Sequence, residues 1–296
     1  GHQSLSADDI AFRLAPRLNA AGRMDHAARA VELLIARDAQ AADKTARTLN
    51  LLNRKRQDLE RGILADIQQF IDSNPSLLQR RSLVLSRQGW HAGVLGIVAS
   101  RMMHSYHRPV VLISLQDGTG KGSARSVEGL NLYDALAACE PLLESFGGHA
   151  MAAGLQIREK NIADFQTAFE EKIQQAISPE TSEPVLQIDS ELDFTAISDD
   201  LIDELEWLMP FGTGNPEPLF LARNVKVVNS KIVGQNHRRM VLSQASGYAA
   251  APIPAIHFNA GDEDAKKFHF DHIVFKLQWN RWNGKKTAQI VVEDLL

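Results

Sequence analysis

Two glycine-rich strings carry the groups best suited to chemistry. The first, Gly120-Lys121-Gly122-Ser123-Ala124-Arg125-Ser126, offers a hydroxyl and a planar guanidinium fork in a Ser-x-Arg spacing. The second, Phe146-Gly147-Gly148-His149-Ala150-Met151-Ala152-Ala153-Gly154, offers an imidazole that can donate, accept or bind a metal. Glycine lets the backbone approach a ligand closely, and the N–H groups exposed in such turns can cradle an anion. The chemistry implied is the holding of phosphate. Neither string is a nucleotide P-loop, because the Gly-Lys-[Ser/Thr] ending is missing. A third string, Arg17-Leu18-Asn19-Ala20-Ala21-Gly22-Arg23, places arginines on either side of small residues and reads as a loop able to clamp phosphate.

Hard divalent metals need several carboxylates held together. The candidates are Asp189, Glu191 and Asp193, alternating along a strand, and the loop run Asp262-Glu263-Asp264. Neither set has a histidine at a convincing spacing, and His269 and His272 point to opposite faces of a probable strand. No complete metal site is expected in the chain. A polyanion is better served near the C-terminus. Trp279-Asn280-Arg281-Trp282-Asn283-Gly284-Lys285-Lys286 concentrates two indoles and three cations in one hairpin, and Gln235-Asn236-His237-Arg238-Arg239 makes a second basic turn. Stacked bases and phosphates of a single strand suit both. Trp279 and Trp282 oppose each other on a regular strand, so one packs inward and one outward; spacing does not say which.

The elements that would position these groups follow from periodicity. A short helix over 10–15 is broken by Pro16, and a second helix covers 27–36. Leu49, Leu52, Leu59, Ile63, Ile67 and Ile71 recur at helical spacing, which predicts one long helix through 38–71. A strand at 82–86, a loop carrying His91, a helix at 94–106 and a strand at 110–114 make a parallel βαβ unit. A strand at 121–125, a helix at 130–143, a strand at 150–157 and a helix at 162–177 complete a mixed sheet. The run 178–184 is a linker by composition. Beyond it, strands at 186–192, 219–222, 225–233, 239–244, 254–258, 270–277 and 288–294, with a short acidic helix near 199–208, suggest a small barrel of the five-stranded OB type.

The chain of 296 residues has 44% apolar and 23% charged residues, the balance of an ordinary globular protein. Its single cysteine, Cys139, excludes an internal disulfide and reads as apolar filler in a helix. No apolar run reaches the ~18 residues of a membrane span, so a cytoplasmic protein is expected. The net charge of −4 conceals a strong asymmetry. Residues 178–221 hold no Lys or Arg against 11 Asp and Glu, whereas residues 222–296 hold 11 against 6. The basic module could bind a polyanion despite the acidic average.

Phe146–Gly154 resembles the Gly-Gly-His signature of the DHH-associated domain. Three more stretches narrow the resemblance to RecJ-type single-strand-specific 5′→3′ exonucleases. These are Pro16-Arg17-Leu18-Asn19-Ala20-Ala21-Gly22-Arg23-Met24, Trp90-His91-Ala92-Gly93-Val94-Leu95-Gly96-Ile97, and Pro210-Phe211-Gly212-Thr213-Gly214-Asn215-Pro216-Glu217-Pro218. No Asp-His-His triplet of the superfamily core is found; Met24-Asp25-His26 is followed by Ala27. The resemblance therefore implies the C-terminal half of such an enzyme. It implies the end of the DHH core at 1–37, a connecting helix at 38–73, an α/β DHH-associated domain with a mixed sheet at 76–178, and an OB-fold β-barrel at 185–296. It implies a 5′-phosphate and DNA site at Ser123, Arg125, Gly147, Gly148 and either Arg17 or Arg23. His149 would face the scissile phosphate once the core is present. Single-strand contacts in the barrel would come from Arg238, Arg239, Trp279, Arg281, Trp282, Lys285 and Lys286. Mn²⁺ or Mg²⁺ would serve the full-length enzyme in DNA repair and recombination in a bacterial cytoplasm. The partners implied are single-stranded DNA, the missing catalytic core, single-strand-binding protein and a helicase. The alternative is a non-catalytic single-strand-binding or adaptor protein built from the same modules. A superfamily phosphoesterase acting on short nucleotides fits less well, because such relatives usually end after the associated domain.

Overall fold

A computed structural model describes residue 7 and residues 9–176, 185–234, 236–244, 251–260, 266–282 and 284–295. The chain forms two compact units, Gly1–Pro184 and Val185–Leu296.

The first unit begins with a π-helical turn, Asp9–Leu14, which passes directly into helix α1, Ala15–Met24. The loop expected at 17–23 is thus helical. Pro16 occupies the first turn of α1, where its missing N–H costs nothing. Helix α2, Ala28–Ile35, leads to α3, Ala39–Ser73, a continuous helix of 35 residues capped by Asp38. Leu49, Asn53, Arg56, Glu60, Ile63, Ile67 and Ile71 form its buried stripe. Within the basic run 54–56, Arg56 is accordingly an internal residue, paired with Glu60 at 3.0 Å; Arg101 approaches the same carboxylate at 3.2 Å.

Strand β1 (Leu83–Gln88), helix α4 (Ala92–Tyr106) and strand β2 (Val110–Gln116) form the parallel βαβ unit. Strand β3 (Thr119–Arg125) follows, then the short helix α5 (Leu132–Ala137), β4 (Leu143–Gly148), β5 (Ala152–Arg158) and α6 (Ile162–Ala176). The sheet order is β1-β2-β3-β5-β4, antiparallel from β2 onward. Strand β4 replaces the end of the helix expected over 130–143 and the turn after it. A 3₁₀ turn at Glu140–Leu142 containing Pro141 ends the helical stretch, and the chain becomes extended there.

The two faces of this sheet differ. On one, Val111, Ile113, Ala124 and Leu155 pack with Phe165 and Phe169 of α6. On the other, Val110 and Leu112 pack with Val98 of α4 and Ile63 and Ile67 of α3. Leu112 pairs with Ser123 and Val110 with Arg125, so both polar side chains of β3 stand on the α4 face. The next residues on that face are Gly154 and Ala152 of β5, then Gly147 of β4. Gly154 and Gly147 are exposed. Beside Ser123 and Arg125 the sheet therefore offers a floor almost free of side chains.

The second unit has a two-residue strand β6 (Ser190–Glu191), shorter than the strand expected at 186–192, and helix α7 (Asp199–Trp207) capped by Ser198. Strands β7 (Phe220–Val233), β8 (His237–Gln244), β9 (Ile253–His257), β10 (His269–Trp282) and β11 (Lys285–Leu295) follow. They pair in the order β7-β8-β9-β11-β10, and β10 pairs again with β7, closing a five-stranded OB-like barrel. The two strands expected at 219–222 and 225–233 are one strand, β7. Its interior is filled by Phe220, Val225, Met240, Leu242, Phe270, Phe275, Leu277 and Ile290, with Phe194 and Ile202 at its edge. No helix among the described residues is long and apolar enough to cross a membrane.

Candidate nucleic-acid interface

The phosphate-binding candidates come together around the start of α4. His91 caps this helix: its Nδ1 accepts the Gly93 N–H at 3.2 Å. The loop before it is fastened by Trp90, whose Nε1 donates to Asp66 at 3.1 Å and whose carbonyl accepts the Ser114 hydroxyl at 2.6 Å. Gly93 allows the end of α1 to pack directly on α4. A Cβ there would lie 2.1 Å from the carbonyl oxygen of Arg23. One turn on, a Cβ at Gly96 would lie 2.7 Å from Nη2 of Arg125 and 3.1 Å from Oγ of Ser123. Both glycines make room for functional groups brought by other elements.

Arg125 Nη1 donates to Ala124 O at 2.7 Å and to Ser123 Oγ at 3.3 Å, so the Ser-x-Arg pair acts as one group. Burial, and then the charge of Arg23, push the Arg125 guanidinium below its ordinary range. Two like charges are thus held near one another beside an open floor of glycine. That arrangement costs free energy when empty and gains it when a multiply charged anion enters. Arg17 differs. Its Nε donates to Asn50 at 2.7 Å and its Nη1 to the Arg13 carbonyl, which fastens it to α3. Of the two clamp candidates, Arg23 is the one the fold sets beside Arg125.

His149 lies exposed in the β4–β5 turn, where its N–H donates to Ala152 O at 2.9 Å. Gly148, with φ of 150°, makes this turn possible: a Cβ would meet the same carbonyl oxygen at 2.4 Å. Gly96 received no role from the sequence. Its signal was its spacing of three from Gly93 on a helix, which puts both on nearly one face.

Gly96→Ala provides a direct test of the pocket. The nearest obstacles to its Cβ are the ends of flexible side chains, so stability should change by less than ~1 kcal/mol. Displacing the Arg125 fork should nevertheless weaken binding of a 5′-phosphorylated oligonucleotide about tenfold, the size of one lost charge-assisted hydrogen bond. Calorimetric titration beside a thermal melt separates the two effects. A folded Gly96→Ala chain with unchanged affinity would show that Arg125 does not meet the phosphate.

In the barrel, the expected single-strand residues divide sharply. Trp279 is buried, and its Nε1 donates to Asp203 of α7 at 2.7 Å. Lys286 bonds the same carboxylate at 2.6 Å and lies 4.1 Å over the Trp279 ring. The Lys286 and Trp279 hydrogen bonds hold the Asp203 carboxyl below the usual range. Arg281 forms a two-pronged pair with Glu206, at 2.6 and 2.7 Å. Arg238 is fully buried, with its guanidinium donating to Lys267 O at 2.7 Å and lying 5.6 Å from the Phe268 ring. The expectation of Arg238 and Trp279 as surface contacts is corrected accordingly: the closed barrel needs both inside. Trp282, Lys285 and Arg239 are exposed.

Metal candidates fare differently. Asp189 accepts the Leu219 N–H at 2.9 Å, and Glu191 pairs with Arg223 at 2.6 Å. Both carboxylates are thus occupied by the barrel's own framework. The run 262–264 lies outside the described residues. Among the described residues no three His, Cys, Asp or Glu side chains converge as metal ligands.

An α/β domain of this kind followed by an OB barrel defines a class, and comparison with known proteins gives it names. A family model described as the DHHA1 domain matches residues 79–175, and one described as the RecJ OB domain matches 188–294. Single-stranded-DNA-specific exonuclease RecJ of Haemophilus influenzae is 33% identical over 301 residues, covering 98% of this chain and 52% of the relative. The protein of the same name from Thermus thermophilus is 36% identical over 289 residues, covering 98% of this chain and 40% of the relative. The crystal structure of RecJ in complex with Mn²⁺ from Thermus thermophilus superimposes with a TM-score of 0.80 at 31% identity, over 98% of this chain and 42% of that one. The chain belongs to the RecJ family and corresponds to its C-terminal portion. It spans about half the length, or less, of the curated relatives it matches.

Proposed function

We propose that this chain supplies the 5′-end pocket and the single-strand grip of a RecJ-like exonuclease that degrades single-stranded DNA 5′→3′ in bacterial DNA repair and recombination. The observation that carries this reading is the meeting of Arg23, Arg125 and Ser123 beside Gly96, on a sheet face floored by Gly154 and Gly147. A terminal phosphate carries more negative charge than a bridging diester. Two guanidinium groups, a hydroxyl and an open floor select for that extra charge. Residues 1–37 are read as the end of a DHH core, the helix through 38–73 as its connection, 76–178 as the DHH-associated domain and 185–296 as the single-strand-binding domain. His149 is read as facing the scissile phosphate from the β4–β5 turn.

The carboxylates described here do not fit Mn²⁺ or Mg²⁺, since those in question are held by backbone or arginine partners. No step through a metal is derived from this chain. Its own part in the reaction is to bind the strand and set which end is presented. Single-strand-binding protein and a helicase are proposed partners of the whole enzyme, and the bacterial cytoplasm its location.

The test uses the enzyme at the full length of its relatives, with 5′-phosphate and 5′-hydroxyl single strands compared. Arg125→Ala should lower activity on the phosphorylated end by about tenfold or more, with a much smaller loss on the hydroxyl end. Arg125→Lys keeps the charge but not the fork and should recover little. Equal losses on both ends would make Arg125 a general backbone contact and defeat the reading.

A further inference from the structure

The acidic segment of the second unit neutralises one end of the barrel and leaves the other bare. Four of its carboxylates reach four cations of the strands. Glu191 takes Arg223, Asp203 takes Lys286, Glu206 takes Arg281 and Glu217 approaches Lys276 at 3.7 Å. The tip of the β10–β11 hairpin, where a basic single-strand site was expected, is therefore covered by α7. Asp199, Asp200 and Glu204 on the same helix add exposed negative charge there. A nucleic-acid backbone approaching this end meets carboxylates.

The β7–β8 ribbon is different. Past the stretch that pairs with β10, β7 continues against β8 alone, leaving the barrel at the end of β10 opposite to its hairpin. On this ribbon Lys231 stands directly across from Arg239, both exposed and, among the described residues, without a carboxylate partner. Like charges in facing antiparallel positions destabilise a sheet. The pair borders a cleft of about 340 Å³ lined also by Asn229, Val241 and Pro254. Next along the same outward face come His237 and Phe258, their rings 5.3 Å apart and edge to face; Phe258 is 53% exposed. The Asn259 N–H donates to His237 Nδ1 at 3.1 Å, which fixes that ring against its neighbour. Beneath the ribbon, Arg238 adds a buried positive charge.

We propose that the outward face of this ribbon, with Lys231 and Arg239 on backbone phosphates and Phe258 with His237 as a stacking surface for a base, is the barrel's single-strand contact. This rests on the reading of the chain as a single-strand binder and names where on the barrel that happens. An unpartnered cation pair beside an exposed aromatic is what a single strand needs. The strand order agrees, since OB barrels hold oligonucleotides on their second and third strands and the loop before them, here β8, β9 and the β7–β8 turn.

The test is fluorescence anisotropy of the whole chain with a 3′-labelled oligothymidine of 20 nucleotides carrying a 5′-hydroxyl, across a salt series. Lys231→Ala with Arg239→Ala should weaken binding about tenfold or more. It should also flatten the slope of log affinity against log salt by about 1.4, for two phosphates at ~0.7 each. Its melting temperature should not fall, because the change removes a repulsion. Lys231→Gln alone should give about half of the slope change, should the double variant fold poorly. Trp282→Ala with Lys285→Ala on the hairpin should cost less than the ribbon variant. If the hairpin variant loses the binding and the ribbon variant keeps it, the ribbon proposal is overturned and the single-strand reading stands. If the wild-type chain does not bind the oligonucleotide at all, both fall.

Discussion

Trp279→Ala should destabilise the barrel unit by about 3–5 kcal/mol, while its neighbour Trp282→Ala should change stability by no more than ~0.5 kcal/mol. The two residues are three apart on β10 and chemically identical, yet Trp279 is 8% exposed and Trp282 73%. Truncating Trp279 removes an aromatic from among Leu277, Ile290 and the rest of the barrel core and leaves a cavity. It also takes away the N–H that Asp203 accepts at 2.7 Å and the ring beneath Lys286. Helix α7 loses part of its attachment as a result. Urea denaturation followed by circular dichroism reads both variants. A Trp279→Ala loss below 1 kcal/mol, or a larger loss at Trp282, would show that the hairpin is not packed in this way. Trp279→Phe should recover much of the packing but not the bond to Asp203, so it should fall between wild type and alanine.

Gly148→Ala should destabilise the first unit by on the order of 3 kcal/mol and displace His149, whereas Gly147→Ala should be tolerated within ~0.5 kcal/mol. At Gly148 the backbone has φ of 150°, and a methyl would lie 2.4 Å from Ala152 O and 2.5 Å from Ala153 Cα. Both obstacles are backbone, so the turn itself must open, and the Ala152 carbonyl is also the acceptor for the His149 N–H. At Gly147 a Cβ would meet nothing within 4 Å. Gly147→Ala instead places a methyl on the open floor beside Gly154, and any loss it causes should appear in oligonucleotide binding rather than in melting. Equal melting temperatures for the two alanine variants would contradict the turn geometry.

Electrostatics divide the molecule's arginines in the same manner that packing divides its tryptophans. Arg125 is held near Arg23 with no carboxylate, in an arrangement that an anion would relieve. Arg281 and Arg223 are bonded to carboxylates, and these pairs raise their guanidinium pKa values. A cation already so paired gains little by exchanging its partner for a phosphate. Charge without a partner therefore points to the ligand surfaces: the α4 face of the sheet in the first unit and the β7–β8 ribbon in the second.

Local chemistry alone determined much of this protein. The long helix through 38–71 was legible from apolar residues three and four apart, the βαβ unit from short apolar runs on either side of a helix, and the barrel from several short strands separated by turns. The Ser-x-Arg and Gly-Gly-His strings marked the family and one face of one sheet, because a two-residue period fixes which side chains share a face. What tertiary structure decided were matters of partnership. Pro16 reads as a break, yet in the first turn of α1 it lacks only an N–H that would have been unsatisfied there anyway. The stretch from Leu143 reads as the end of a helix, yet hydrogen bonds to β5 make it a strand. Gly93 and Gly96 look like weak helix formers until Arg23 O and the Arg125 fork are seen to fill the space that side chains would take. Arg238, Arg239, Arg281 and Lys286 are equivalent as letters, and Trp279 and Trp282 likewise. Only closure of the barrel, which turns alternate residues inward and brings α7 over one end, determines which are buried, which are neutralised and which remain free to meet a polyanion.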